Sequence, residues 1–223
     1  MSNKEIFTRY YENNTWGGKE SVSGPGSDTD TTQQLAKELS VLLKQLGIKT
    51  FLDAPCGDFN WMKNVDLRNI KYSGTDIVED LIAKNIEKYS SEDVEFFVMD
   101  IVEDTFKTYD LIMIRDTLVH LTNKQVASVL KKVKESGTKY LLTTHHSWID
   151  DSIFPEHNRN NRDIKTGQWR RINLLEPPFF LPKPIRVIVE GNTNSKDLDK
   201  SLALYLVEDI PDSFAQIPNW FVN

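Results

Sequence analysis

Apolar residues recur along this chain with two different periods. In TTQQLAKELSVLLKQL (31–46), Leu35, Leu39, Leu42, Leu43 and Leu46 form one stripe at helical spacing. Gly47 follows as a C-cap, and Asp30, Thr31 and Thr32 offer N-caps. After this helix, short apolar runs alternate with helical stretches. The runs are IKTFLDAP (48–55), DLRNIKYSGTDI (66–77), VEFFVMDI (94–101), YDLIMIRD (109–116) and KYLLTTHH (139–146). Helical patterns occupy 59–65, 78–89 and 123–136. Strands alternating with helices predict βαβ units and a parallel sheet. IRVIVEG (185–191) and SLALYLVE (201–208), separated by the turn-rich NTNSKD (192–197), predict a closing hairpin.

Two segments break the alternation. Residues 1–30 are polar and rich in glycine, yet carry Phe7, Tyr10, Tyr11 and Trp16. Disordered tails have few aromatics, so the expectation is a loop that folds back over a site, the alternative being a plain extension. Residues 147–184 hold Pro155, Pro177, Pro178, Pro182 and Pro184 without a clear period. Their aromatics, Trp148, Phe154, Trp169, Phe179 and Phe180, mark an ordered insert that packs on the sheet.

The chain has 223 residues, 39% of them hydrophobic and 27% charged, which suits one globular domain spanning 1–223. Its net charge of −6 and pI near 5.3 argue against a general nucleic-acid or anionic-membrane binder, which needs a positive field. Cys56 is the single cysteine, so an internal disulfide and a zinc site with two or more cysteines are excluded. The start MSNKEIFTRYYENN lacks the apolar core of a secretory signal, and no apolar run is long enough to span a bilayer. A cytoplasmic location is the expectation, with no membrane span and no nucleic-acid partner; the oligomeric state stays open.

Four successive strands end in an acid: Asp53, Asp76, Asp100 and Asp116. Ligands of open parallel sheets bind at that edge. A single such Asp more often caps the turn that follows; a series is harder to explain so. Asp76 follows Asp53 by 23 residues, near the interval at which a second-strand acid meets a ribose in dinucleotide folds. The turn between them, DAPCGDFNW (53–61), has one glycine, Gly57, and is not G-x-G-x-x-G. That favours a nucleoside-containing cofactor over NAD or FAD.

FLDAPCGDFNWM (51–62) resembles motif I of class I S-adenosylmethionine-dependent methyltransferases, in a form with cysteine before the glycine. GTDI (74–77) resembles their motif II, VMDI (98–101) the adenine-contacting motif, and DLIMIRDTLVHL (110–121) the segment after strand four. WGGKESVSGPGS (16–27) resembles the N-terminal lid of a bacterial subgroup often found among surface-polysaccharide functions. The resemblance implies a doubly wound, mostly parallel seven-stranded sheet of Rossmann-like methyltransferase type, its last two strands forming the antiparallel edge. It implies S-adenosyl-L-methionine as cofactor. Asp53, Pro55 and Gly57 would lie under the methionine and ribose portions, Asp76 would hold the ribose, and Ile77 would pack on the adenine. Asp100 would accept from the adenine amino group and the Ile101 N–H would donate to the ring. The Arg115 carbonyl would lie near the methionine amine, and Ser23, Gly24, Gly26 and Ser27 would close over its carboxylate. Cys56 reads as a small buried turn residue.

Methyl transfer to a hydroxyl asks for alignment, exclusion of water and a base. Asp116, His120, His145 and His146 are the candidates at the ends of strands four and five. Asp116 and His120, four apart, suit an Asp–His pair; a capping Asp beside a half-buried His is the alternative. His145 and His146 should point to opposite faces, so that one of them reaches a pocket. Asp150 and Asp151 are either divalent-metal ligands or solvated acids; their spacing is not diagnostic, and no metal is assigned. The insert gathers His157, Arg159, Arg162, Lys165, Arg170 and Arg171 in an otherwise acidic chain. Arginines take phosphate or carboxylate bidentately. Arg159, Arg162, Arg170 and Arg171, with Trp16 of the lid, are therefore expected to bind a small acidic acceptor, against the alternative of a solvated loop. The expected reaction is O-methylation of a saccharide or phosphate-bearing polysaccharide precursor. Rivals are a nicotinamide-dependent oxidoreductase and a non-catalytic cofactor-binding module.

Overall fold

A computed structural model describes residues 1–146, 161–190 and 200–214. Seven strands form one sheet in the order β3-β2-β1-β4-β5-β7-β6. They are β1 (Thr50–Asp53), β2 (Lys71–Asp76), β3 (Val94–Val98), β4 (Leu111–Ile114), β5 (Tyr140–His146), β6 (Arg186–Val189) and β7 (Lys200–Leu206). The pairs β1–β2, β1–β4 and β2–β3 are parallel. β7 pairs antiparallel with both β5 and β6, with His146 opposite Lys200 and Val189 opposite Ser201. The expected seven-stranded, mostly parallel sheet with an antiparallel edge is what forms. The chain divides into two compact units, residues 1–104 with 109–113, and 105–108 with 114–223.

In the first unit, helix α2 (Thr29–Leu46) buries Leu35, Leu39, Leu42 and Leu43, and Gly47 ends it in the left-handed conformation. The helix starts before the expected residue 31 because a distant acceptor serves its first turn: Glu20 accepts from the Thr29 backbone N–H (3.0 Å) and from its hydroxyl. Helix α3 (Glu79–Tyr89) crosses between β2 and β3. Residues 59–65, expected to be helical, form only a single tight turn at Met62–Asn64. Phe59 stands at φ +58 and drives its ring among Tyr72, Tyr89 and Phe96, 5.0–5.3 Å away between centroids. Phe59, Trp61 and Met62 are all buried, and only Lys63 and Asn64 of the segment are exposed. Gly74 is required beneath this cluster, because a Cβ there would lie 2.7 Å from the Phe96 ring. At the N-terminus, expected to be loop, Asn3–Glu12 is a helix, α1, started by a capping box of Ser2 and Glu5.

In the second unit, helix α4 (Asn123–Glu135) opens with a Thr122–Gln125 capping box and buries Val126, Val129, Leu130 and Val133. β5 and β7 supply Leu141, Leu142, Leu202 and Leu204 to the core. The described part of the insert, 161–184, has no regular element but buries Ile172, Leu174 and Phe179. No helix among the described residues is long and apolar enough to cross a membrane.

Candidate functional site

In the first unit the strand ends and the residues before α2 meet at the turn after β1. Asp53 ends β1, is 2% exposed, and accepts the Tyr72 hydroxyl at 2.9 Å. Ala54–Pro55 is a cis peptide. Cys56 is buried, its backbone N–H bonded to the Thr75 carbonyl at 2.7 Å; burial pushes its thiol up, which suits a small turn residue. Gly57 stands at φ +55, and a Cβ on it would lie 2.2 Å from Ser23 Oγ. Only glycine meets both demands.

Asp76 ends β2. Its carboxylate accepts backbone N–H groups of Val78, Ile77 and Gly57, with Val78 N at 3.0 Å from Oδ1. Burial nevertheless raises it to about 6, the backbone donors offsetting only part of the desolvation. It keeps 9% exposure, and Ile77 beside it is half-buried. Asp100 lies just past β3. Its Oδ1 accepts from Val102 N at 2.9 Å and its Oδ2 from Asn3 Nδ2 of α1 at 3.3 Å, so here it caps its own turn. Ile101 is buried.

The residues expected to form a lid lie against this turn. Ser21 Oγ donates to Asp58 Oδ1 (2.9 Å), Val22 N to Asp58 Oδ2 (3.0 Å), and Asp58 N to Ser23 Oγ (3.1 Å). Asn60 Nδ2 donates to Glu20 (2.9 Å) and to the Ser27 carbonyl (3.1 Å). Gly24, at φ +95, packs on Trp16, whose ring stands edge-on to Tyr10 at 5.1 Å. Gly26 lies in the short turn Pro25–Ser27. Asp58 and Asn60 were not among the expected site residues. Their signal was the polar pair in D-F-N directly after the glycine.

In the second unit four charged side chains meet. Arg115 Nη2 lies 2.6 Å from Glu190 Oε2 and its Nη1 3.4 Å from Asp116 Oδ2. Lys200 Nζ lies 2.6 Å from Asp116 Oδ2 and 3.4 Å from Glu190 Oε2. Asp116 stands at φ +54, its backbone N–H donating to Thr144 Oγ1 at 2.8 Å. Burial alone would raise this carboxyl, but Lys200 and Arg115 outweigh it and hold the group well below the usual carboxylate range. Sequence reasoning did not find Glu190 and Lys200, because they lie far along the chain from Arg115 and Asp116.

The three candidate histidines differ in what their Nδ1 atoms face. His120 Nδ1 is 3.0 Å from the Gln168 carbonyl, which can only accept, so Nδ1 carries the proton. His145 and His146 do the reverse: their Nδ1 atoms accept from Leu174 N (3.4 Å) and Ile172 N (3.2 Å). Both rings are buried, and both hold the insert to β5. Desolvation lowers His145 to about 4. Desolvation also lowers His120, more than the Gln168 carbonyl and Asp116 raise it.

Of the insert's arginines, Arg170 is 7% exposed and donates to the Leu121 carbonyl (2.6 Å) and to Asn123 Oδ1 (2.8 Å). Burial brings it down to about 10. Arg171 stands over the Trp169 ring at 5.6 Å, and Arg162 is exposed. Arg159, His157, Asp150, Asp151 and Trp148 lie outside the described residues. Among the described residues, no group of three His, Cys, Asp or Glu is placed to hold a metal ion.

No family model matches the chain, and no curated protein matches it by sequence. Solved structures do match its fold. Magnesium protoporphyrin IX methyltransferase (ChlM) from Synechocystis PCC 6803, with bound SAM, superposes with a TM-score of 0.62 at 14% identity, covering 92% of this chain and 97% of that one. N-methyltransferase NodS from Bradyrhizobium japonicum WM9 gives 0.57 at 14% identity over 80% and 97%. Human N-acetylserotonin methyltransferase in complex with SAM gives 0.57 at 15% identity, over 92% of this chain and 60% of that one. The chain thus has the Rossmann-like fold shared by these methyltransferases.

Proposed function

We propose that this protein is an S-adenosylmethionine-dependent methyltransferase that methylates an oxygen of a small polar, acidic acceptor. The observation that carries the reading is Asp76: an acid at the end of β2, oriented by the Gly57, Ile77 and Val78 N–H groups, with a half-buried apolar residue next to it. The residues present fit an adenosyl group. At neutral pH an acid near 6 is mostly ionised and accepts hydrogen bonds from both ribose hydroxyls. Ile77 supplies an apolar surface for the purine, and Asp100 an acceptor for its amino group once Asn3 yields it. Gly57 lets Ser23 approach the turn, which brings residues 23–27 to the methionine end. The Arg115 carbonyl remains assigned to the methionine amine. When bound, S-adenosylmethionine supplies an electrophilic methyl group.

The chain's own part is to orient the acceptor, exclude water and take its proton. His120 is assigned the base role. Its Nδ1–H is committed to the Gln168 carbonyl, which leaves Nε2 as the basic nitrogen, and burial keeps the ring neutral at neutral pH. Asp116 is too weak a base; held by Lys200, it fixes the segment that presents His120. His145 and His146 already spend their Nδ1 lone pairs on backbone N–H groups, and they rank behind His120. Arg171, Arg162 and Arg159 are assigned to an acidic acceptor, whereas Arg170 is spent on Leu121 and Asn123. Trp16 of the lid remains assigned to the acceptor. The polysaccharide-precursor class rests on the likeness of residues 16–27 alone.

The test incubates the protein with S-adenosylmethionine and a panel of saccharide and phosphate-bearing metabolites, reading a mass gain of one CH2 group. The expected result is product from the native chain, none from Asp76→Ala, and retained S-adenosylhomocysteine binding in His120→Gln. Binding of NADH in place of S-adenosylhomocysteine would overturn the reading.

A further inference from the structure

Besides the Asn60 backbone N–H at 3.3 Å, the Asp58 carboxylate accepts donors from one short stretch, residues 21–23, lying 35–37 positions earlier in the chain. Oδ1 accepts Ser21 Oγ–H at 2.9 Å and Ser23 Oγ–H at 3.4 Å, and Oδ2 accepts the Val22 backbone N–H at 3.0 Å. The Asp58 backbone N–H returns a bond to Ser23 Oγ at 3.1 Å. Within the stretch Ser21 is buried, while Val22 is exposed and Ser23 half-buried. Next to this clasp, Ser23 Oγ occupies the space a Gly57 side chain would need, and the Gly57 N–H bonds Asp76. A continuous path of contacts therefore runs from residues 21–23 through Asp58 and Gly57 to the proposed ribose acid.

We propose that Asp58 is a positioning residue for the cofactor's amino-acid end: its carboxylate fixes residues 21–24 against the turn after β1, and through them sets the affinity for the methionine portion without touching the nucleoside. This rests on the methyltransferase reading for the ligand but not for the clasp, whose hydrogen bonds all lie within the chain. Asparagine at 58 is the sharp probe. It keeps the shape, but whichever way its amide is turned the NH2 faces a backbone N–H donor, that of Val22 or that of Asn60, which weakens the clasp. Gly57→Ala breaks it from the other side by expelling Ser23. Ser21→Ala is the mild variant, removing one hydroxyl of the clasp and leaving the Asp58 side chain and the sheet intact.

The experiment has two readouts on the full chain. The first is amide hydrogen exchange without ligand. The Val22 and Gly24 amides should exchange at least about tenfold faster in Asp58→Asn and Ser21→Ala, with β1 and β2 amides unchanged. The second is calorimetric titration with S-adenosylhomocysteine and, separately, with adenosine. Asp58→Asn should weaken S-adenosylhomocysteine at least about tenfold and adenosine less than about twofold. Unchanged exchange in both variants overturns the clasp. Equal losses for the two ligands overturn the positioning role and leave Asp58 a plain structural residue. A native chain that binds neither ligand while the exchange result holds would refute the methyltransferase reading and retain the clasp.

Discussion

The ammonium of Lys200, the first residue of β7, lies 2.6 Å from Oδ2 of Asp116, which follows β4 and stands in a left-handed backbone conformation. The two are 84 residues apart in sequence. The pair holds an acid just past a strand end too acidic to serve as a base. It also sets the chemistry of its neighbours, because Arg115 and Glu190 complete a neutral group of two cations and two anions.

Replacing Lys200 by Met should leave Asp116 with the more distant Arg115 as its remaining cation. The Asp116 side chain is a third exposed, so the loss is a discounted part of what breaking a buried pair costs, about 1–3 kcal/mol. A carboxyl held low stabilises the fold above its unfolded value near 4 and loses that contribution as the pH falls through the folded value. The difference in unfolding free energy between native and variant should therefore be full at neutral pH and shrink on acidification below about 4. Urea melts across that range check this.

Asp76 carries the opposite sign. Its folded value of about 6 lies above the ordinary carboxylate range, so burying it ionised opposes folding at neutral pH. That strain relaxes as the pH falls through 6. Asp76→Asn should raise the thermal midpoint of the unliganded protein at pH 7.5 by a few degrees, and raise it far less at pH 4. The same substitution should cost at least about tenfold in S-adenosylhomocysteine affinity, since the amide donates where the ribose also donates. In the native chain, affinity should be flat above about pH 7 and fall toward tenfold per unit below the acid's value.

The tautomers separate the histidines. His120→Gln should lower turnover about 10²–10⁴-fold with cofactor affinity unchanged. His145→Ala and His146→Ala should instead destabilise, by about 1–3 kcal/mol each, because each leaves a buried backbone N–H of Leu174 or Ile172 without its acceptor. Steady-state kinetics beside denaturant melts distinguish the two patterns.

Arg170→Met should likewise act on stability and not on acceptor KM. Its guanidinium is committed to the Leu121 carbonyl and Asn123, and removing it leaves both without a donor. Arg171→Ala, which removes a cation standing over Trp169, should raise acceptor KM with little change in melting.

How far the sequence carries depends on the range of the interaction. The strands and the acids that end them were legible because apolar period and strand-end chemistry are local: Asp53 and Asp76 are the last residues of their strands, as expected. Helix α2 was legible from its leucine stripe, but not its start, because Glu20 supplies the acceptor from outside the pattern. The aromatic stretch 59–65 read as helix because periodicity does not reveal that Phe59 turns left-handed to enter the cluster on Tyr72. The basic insert read as one anion-binding patch because counting charges ignores burial; Arg170 is spent inside the fold. Asp58, Glu190 and Lys200 stayed hidden because their partners lie 35 to 84 positions away.

The most direct measurement is a crystal structure of the full chain grown with S-adenosylhomocysteine. The ribose hydroxyls should lie on the Asp76 carboxylate, the purine against Ile77 and residues 21–24 beside the amino-acid tail. Ligand bound away from the ends of β1 and β2, or Asp76 facing no hydroxyl, would contradict the methyltransferase reading.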